Sequence, residues 1–291
     1  MSHKAGFVNI VGSPNVGKST LMNRLMGQKM SIVTPKAQTT RHRILGIVND
    51  ENYQVVFSDT PGVVNSAYAL HDAMMSYVET SLQDADVLIF ITDIYEDEMN
   101  HKETLERIQK LKVPVIGLIN KIDLGDQEKV GGRIEYWQSK LPNAEWFIAS
   151  ALHGFNMDVI WNRILELIPE SPAYYDKDDL SDRPMRFFIS EMIREKIFTH
   201  CKKEVPYSSQ IEVEEYHEEE TIIRIRAIII VERDSQKGII IGKGGEMLKR
   251  IGREARKDIE KFVEKQMYLE TYVKVDKDWR STEAKLKKYG Y

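Results

Sequence analysis

Residues 12 to 20 read GSPNVGKST, and the eight residues from Gly12 to Ser19 fit the pattern GxxxxGK[ST]. The apolar run FVNIVG leads into them, and TLMNRLMG follows with the spacing of a helix. A glycine-rich turn between a strand and a helix aims bare backbone N–H groups and the positive helix end at one point, which suits a phosphate. Gly12, Ser13, Pro14, Asn15, Val16, Gly17, Lys18, Ser19 and Thr20 are therefore expected to line a nucleotide. The amides of Asn15 to Ser19 would cradle the α and β phosphates, Lys18 would reach β and γ, and the Ser19 hydroxyl would take Mg²⁺.

Working outward, three further short motifs each close an apolar run. In DTPG, Asp59 can hold Mg²⁺ directly or through water, the Gly62 N–H can meet the γ phosphate, and Thr60 and Pro61 stand between them. In NKID, Asn120 and Lys121 precede Asp123, whose carboxylate can accept from N1–H and the exocyclic amine of guanine. Adenine lacks that pair of donors, so the motif selects GTP over ATP. Ser150 closes EWFIAS and Ala151 follows it, a place where a backbone N–H can face guanine O6. Ligands of open α/β sheets bind at the carboxyl ends of strands, where all four motifs fall. Val63 follows DTPG and cannot orient water by hydrogen bonding. Either it packs and another residue orients water, or hydrolysis stays slow until another group completes the site; no base is assigned.

The runs FVNIVG (7–12), YQVVFSD (53–59), VLIFITD (87–93), VIGLIN (115–120) and EWFIAS (145–150) alternate with helical patterns, which predicts a mostly parallel sheet with helices on both faces. RILGIVND (43–50) is too close to YQVVFSD for a parallel crossover, so those two should pair antiparallel. Residues 169–184, PESPAYYDKDDLSDRP, read as a linker. Beyond it the order is helix, strand, strand, helix, helix, strand. The long helix is expected from Glu246 to about Gln266 and the last strand near Glu270 to Val275, a second and smaller α+β domain. The expected boundaries are 1–170, a linker at 171–183, and 184–291 with a C-terminal tail.

Composition narrows the class. The chain has 291 residues, 42% hydrophobic and 30% charged, enough for two cores. Its single cysteine excludes an intramolecular disulfide framework, and its seven histidines show no metal-ligand spacing. No apolar run approaches the roughly 18 residues of a membrane span, and residues 1–6 lack a signal-peptide core, so a soluble cytoplasmic protein is expected. The net charge is −4, yet residues 240–291 hold fourteen Lys and Arg against nine Asp and Glu. That local +5 permits an anionic partner and equally describes a solvated helix face.

GSPNVGKSTLMNRLMGQK, KAQTTRHRILGI, DTPG, NKID, the Ser-Ala pair and VERDSQKGIIIGKGGEMLKRIG, in that order along nearly the whole chain, resemble the Era family of P-loop GTPases. The resemblance implies a Ras-like GTPase domain followed by a type II KH domain that binds RNA. It makes Gln38, Thr39, Thr40, Arg41 and His42 the first switch, with Thr40 favoured over Thr39 to close on Mg²⁺ and γ phosphate beside Ser19 and Asp59. Lys18, Thr40 and Gly62 then form the catalytic set. The implied partner is the small ribosomal subunit near the 3′ end of its rRNA, the implied role is assembly of that subunit, and the implied form is a monomer without an obligate protein partner. Members are also associated with the inner face of the bacterial membrane. Relatives with an asparagine at the place of Asn15 use it to hold K⁺ beside the phosphates; the alternative is that Asn15 only caps the turn.

Within that resemblance, Gly242, Lys243, Gly244 and Gly245 match the GxxG of KH domains, which clamps a few nucleotides of single-stranded nucleic acid. Lys249, Arg250 and Arg253 would neutralise phosphates. The loop lacks GK[ST], so a second nucleotide site is not expected. Two rivals are an RNA-binding module in which GTP turns over little, and a GTPase acting on another RNA.

Overall fold

Apolar runs buried on both faces need a sheet covered by helices, and the first six runs form one. The computed structural model describes residues 3–98 and 102–291. β1 (Lys4–Val11), β2 (Ile44–Asn49), β3 (Tyr53–Asp59), β4 (Val87–Asp93), β5 (Val115–Asn120) and β6 (Glu145–Ile148) lie in the order β2-β3-β1-β4-β5-β6. All neighbours are parallel except β2 and β3, whose short connection makes them antiparallel. β4 and β5 are buried along their whole length. Helices α1 (Lys18–Met26), α2 (Ala69–Gln83), α3 (Lys102–Gln109) and α4 (Gln127–Lys140) connect the strands, and α5 (Met157–Leu167) follows the last of them. Phe90 meets Trp137 edge-on at 5.2 Å in the core beneath the sheet. Because these strands run the same way, the ends of β1, β3, β5 and β6 bring the four motifs to one edge.

The chain divides into two compact units. The first takes residues up to Ser31, then Thr40–Ala67 and His71–Asp182; the second takes Ile32–Thr39, Tyr68–Leu70 and Arg183–Tyr291. Two departures from the expected boundaries follow. The stretch expected as a linker, 171–183, stays with the first unit as far as Asp182. Ile47 N–H donates to Leu180 O at 2.9 Å, Gln54 Nε2 donates to Tyr175 O at 2.9 Å, and the Tyr174 ring lies 5.1 Å from Phe7. The strap thus occupies a backbone donor of edge strand β2, Ile47 N–H, and an acceptor, Leu45 O, that would otherwise invite pairing. The second departure is the allegiance of Ile32–Thr39, taken up below.

In the second unit α6 (Met185–His200) precedes β7 (Gln210–Glu218), β8 (Ile222–Val231), α7 (Asp234–Ile241), α8 (Glu246–Val263), β9 (Gln266–Val275) and a short α9 (Glu283–Lys288) that the sequence pattern did not suggest. β7 pairs antiparallel and β9 parallel with β8. Ile193 and Ile197 from α6, Ile251 and Ile259 from α8, and Ile225 and Ile229 from β8 share one core. α8 stops at Val263, short of the expected Gln266, because Glu264 turns left-handed at φ 53°; β9 then starts at Gln266 instead of Glu270. Among the described residues no helix is long and apolar enough to cross a membrane, and no group of three or more His, Cys, Asp or Glu could hold a metal. Cys201 is buried, and His101 lies outside the described residues.

Candidate active site and nucleic-acid loop

The turn between β1 and α1 is held from within. A Cβ on Gly12 would stand 2.1 Å from the Ile91 carbonyl oxygen, and one on Gly17, at φ 105°, 2.3 Å from Asn120 Nδ2. Asn120 Nδ2 donates to Val16 O at 2.8 Å, and Lys121 Nζ donates to Asn15 O at 2.5 Å while pairing with Asp93 at 2.7 Å. Asn15 itself adopts φ 66° and is exposed. Lys18 is buried and donates to Gly12 O at 3.0 Å and Ser13 O at 2.7 Å. Burial pushes its ammonium down to about 8, with the Asp59 and Glu96 charges pulling the other way. Thr20 lies behind it in the first turn of α1.

Three oxygens converge beside this loop. Ser19 Oγ donates to Asp59 Oδ2 at 2.6 Å, and Thr40 Oγ1 lies 3.0 Å from Ser19 Oγ and 3.4 Å from Asp59 Oδ2. Asp59 Oδ1 is buried without a partner, an acceptor of the kind a hard cation satisfies. Burial raises the Asp59 carboxyl, opposed by the Ser19 bond and the Lys18 charge. Thr60 Oγ1 turns away to Ile10 O at 2.7 Å. Gly62 packs so closely that an added Cβ would be 2.7 Å from Pro14 Cα. Val63 is buried in the core with Val11 and Phe90 and its N–H donates to Gly12 O at 3.2 Å, so it packs.

At the far end of the edge, Ser150 Oγ donates to Asp123 Oδ1 at 2.5 Å. The Ala151 N–H donates to Asn120 Oδ1 at 3.0 Å. It is therefore taken by the protein where the sequence pointed it at guanine O6. The five expected switch residues divide between the units. Gln38, at φ 57°, and Thr39 belong to the second; Thr40, Arg41 and His42 belong to the first, and these three are buried. The Thr39 hydroxyl donates to Lys36 O at 2.7 Å, and its carbonyl accepts from Arg194 Nη2 of α6 at 2.5 Å. Val33 N–H donates to Glu195 Oε1 at 3.1 Å, and Lys36 Nζ caps the last turn of α6 through Phe198 O and Cys201 O.

The second glycine loop closes α7 and opens α8 through a 3-10 turn, with Gly242, Gly244 and Gly245 all at positive φ, 70°, 61° and 80°. Lys243 is exposed. A groove of about 360 Å³ follows along α8, lined by Glu246, Met247, Arg250, Arg253 and Glu254. Lys249 is exposed, pairs with Glu246 at 3.7 Å, and is not among the lining residues. The Glu254 carboxyl is held below its ordinary range by His200, which bonds it at 2.6 Å, and then by Arg250.

Two family descriptions match the chain: 50S ribosome-binding GTPase over residues 7–121 and KH domain over residues 204–280. GTPase Era from Staphylococcus haemolyticus is 42% identical over 291 residues, covering 99% of this chain and 97% of that one. This chain is an Era-family GTPase. The Era of Staphylococcus epidermidis is 40% identical over the same length. A crystal structure of Era in complex with MgGDPNP and nucleotides 1506–1542 of 16S ribosomal RNA superposes with a TM-score of 0.94 at 39% identity, each chain covered to 99%. An Era variant from Aquifex aeolicus bound to GDP.AlF4⁻ matches equally well. The fold that the runs and the family resemblance together implied, an α/β GTPase domain followed by a KH domain, is thus the fold of Era.

Sequence reasoning missed three parts of this Era-family site. Asp93 ends β4 and steers Lys121, a placement the strand-end pattern could have suggested. Arg194 and Lys36 left no local signal, because each acts on a backbone carbonyl more than 150 residues away in sequence. Glu96 touches the P-loop from a turn, with no motif around it.

Proposed function

We propose that this GTPase times its grip on single-stranded RNA at the 3′ end of small-subunit rRNA, and so acts in assembly of that subunit. The observation that carries the reading is a pair of adjacent residues: Thr40 Oγ1 sits 3.0 Å from Ser19 Oγ in the nucleotide unit, while the Thr39 carbonyl is held by Arg194 in the KH unit. Whatever moves Thr40 pulls on Thr39. The RNA target is supported by the relative solved with nucleotides 1506–1542 of 16S ribosomal RNA. The cytoplasm as its place, a monomer as its form and a merely peripheral hold on the membrane complete the reading.

Within it, Ser19, Thr40 and Asp59 hold Mg²⁺, a fit supported by the unpartnered Asp59 Oδ1, and the ion supplies charge neutralisation at the β and γ phosphates. Lys18 exchanges the carbonyls of Gly12 and Ser13 for phosphate oxygens. The Gly62 N–H meets the γ phosphate. Asp123, with one oxygen on Ser150, offers the other to guanine. Gly242 to Gly245 let an RNA backbone approach, and Arg250 and Arg253 neutralise it from the groove. Asn15 holds K⁺ from the exposed shoulder of the P-loop.

Anisotropy of a labelled oligonucleotide with the rRNA 3′-end sequence tests the switch. With Mg²⁺ and GDPNP the full chain should bind it about tenfold more tightly than with GDP, within the 5- to 150-fold span of typical coupling. Equal affinities would overturn gating, and equal affinity for a scrambled sequence would overturn the target. For the K⁺ site, turnover at saturating GTP should be faster in KCl than in NaCl at equal ionic strength, and Asn15→Ala should shrink the difference; equal rates leave Asn15 a turn residue.

A further inference from the structure

Just past β4, Glu96 is held in a turn by its own N–H, which donates to Asp93 O at 3.2 Å, and by Arg133, which donates to its carbonyl at 3.3 Å. Its carboxylate accepts from Thr92 Oγ1 at 2.6 Å and, on the other oxygen, from Ser13 Oγ of the P-loop. Ser13 is buried, and its carbonyl accepts from Lys18 Nζ at 2.7 Å. A single residue is therefore gripped from two sides: the P-loop ammonium holds its carbonyl and a carboxylate holds its hydroxyl. Nothing in the hydrolysis described above uses that carboxylate. Its consequences oppose one another. The two hydroxyl bonds fix the first half of the P-loop, whereas the negative charge competes with phosphate for the field of Lys18.

We propose that Glu96 is a positioning residue that sets how tightly nucleotide is held, clamping Ser13 while its charge loosens the grip of the P-loop on GDP. A neutral side chain of the same size would hold Ser13 and give a tighter, slower-releasing site. The Glu96 charge supports the Lys18 ammonium against its burial, and about tenfold in an equilibrium corresponds to about 1.4 kcal/mol of such interaction. Burial raises the Glu96 carboxyl, while Ser13, Thr92 and the Lys18 charge oppose the rise. The charged groups facing it are Lys18, Asp93 and, from α4, Arg133, with Lys121 beyond Asp93.

The inference rests on the P-loop reading of Lys18, and the experiment separates the two. Binding and release of a fluorescent methylanthraniloyl-GDP are measured on the full chain for wild type, Glu96→Gln and Glu96→Ala. Glu96→Gln should bind GDP about tenfold more tightly, chiefly through slower release. Glu96→Ala should also lose the clamp, so its turnover at saturating GTP should fall further than that of Glu96→Gln. A purely structural Glu96 predicts the opposite sign, and unchanged or weaker GDP binding in Glu96→Gln overturns the proposal. Failure of the wild type to bind the probe would instead overturn the P-loop reading. Should Glu96→Gln not fold, the isosteric Thr92→Val gives a second route. That variant keeps the charge and loses one of the two donors that hold the carboxylate, so Glu96→Ala, which removes the charge altogether, is measured beside it: the alanine variant should release GDP more slowly than wild type and than Thr92→Val, and release as fast as wild type or faster overturns the proposal.

Discussion

The chain carries two glycine-rich loops that each open a helix, and they use glycine for different reasons. In the P-loop the glycines are filled from inside: Gly12 lies against Ile91 O and Gly17 against Asn120. In the GKGG loop, Cβ atoms on Gly244 and Gly245 would meet nothing within 4 Å, although both residues are left-handed. One loop is a packed part of a sheet edge that presents its amides because the protein has closed around everything else. The other is closed only at its entry, where a Cβ on Gly242 would stand 2.7 Å from Met247 Cβ; beyond that it is a bare turn, and the missing side chains of Gly244 and Gly245 are felt only by what comes from outside. Similar composition therefore marks a site built around its ligand in one case and a site left open for it in the other.

Substitutions can break or sharpen that contrast. The largest effect is expected from Gly12→Ala, which drives a methyl into a backbone carbonyl that cannot step aside; thermal unfolding should show a loss of more than about 3 kcal/mol, at or beyond the upper end for overpacking. In the outer loop, Lys243→Asp with Gly244→Asp sets two negative charges where phosphates would lie, and RNA affinity should fall by about a hundredfold at low salt, since each lost or reversed phosphate contact is paid in counterion release. Retained RNA binding would remove this loop from the interface. Asp123→Asn should weaken GTP and strengthen xanthosine triphosphate, because the amide can donate to the new carbonyl; leaving guanine donors unpaired costs about 1–3 kcal/mol, and unchanged base preference would sink the assignment. Gly245→Ala, with space to spare but φ 80°, should cost only about 1–2 kcal/mol of stability. The smallest signal is a proton. Burial holds the pKa of Lys18 down at about 8, so at pH 8–9 it is partly neutral, and phosphate binding raises it again. Calorimetry in buffers of different ionisation enthalpy should then show uptake of a fraction of a proton per GDP at pH 8.5, falling towards pH 7.5 where most of the amine is already charged.

What could be read without coordinates was whatever repeats at short range. The parallel runs, the antiparallel β2–β3 pair and the order of motifs along one sheet edge follow from periodicity and connection length. The end of α8 did not, because Glu264 takes a left-handed conformation that no glycine announces. Ala151 was placed by its motif in the right turn, but its N–H is claimed by Asn120, and a one-dimensional pattern carries no hydrogen-bond ledger. A run rich in proline and aspartate reads as a linker on composition alone, whereas Gln54 and β2 hold it down through bonds to its backbone. Glu96 and Arg194 belong to the same class of omission. Their partners are hydroxyls and carbonyls brought close only by the finished fold.

The allegiance of Ile32–Thr39 to the second unit also orders events at birth. The segment leaves the ribosome among the first forty residues, whereas Arg194, Glu195 and the end of α6 emerge about 150 residues later, roughly 8–30 s at ordinary synthesis rates. During that interval the remaining strands and helices of the nucleotide unit emerge one after another, and the residues next to Thr40 lack their anchor throughout. Every strand of the nucleotide unit is thus made before the switch can be anchored, and the anchor arrives with the first helix of the KH unit.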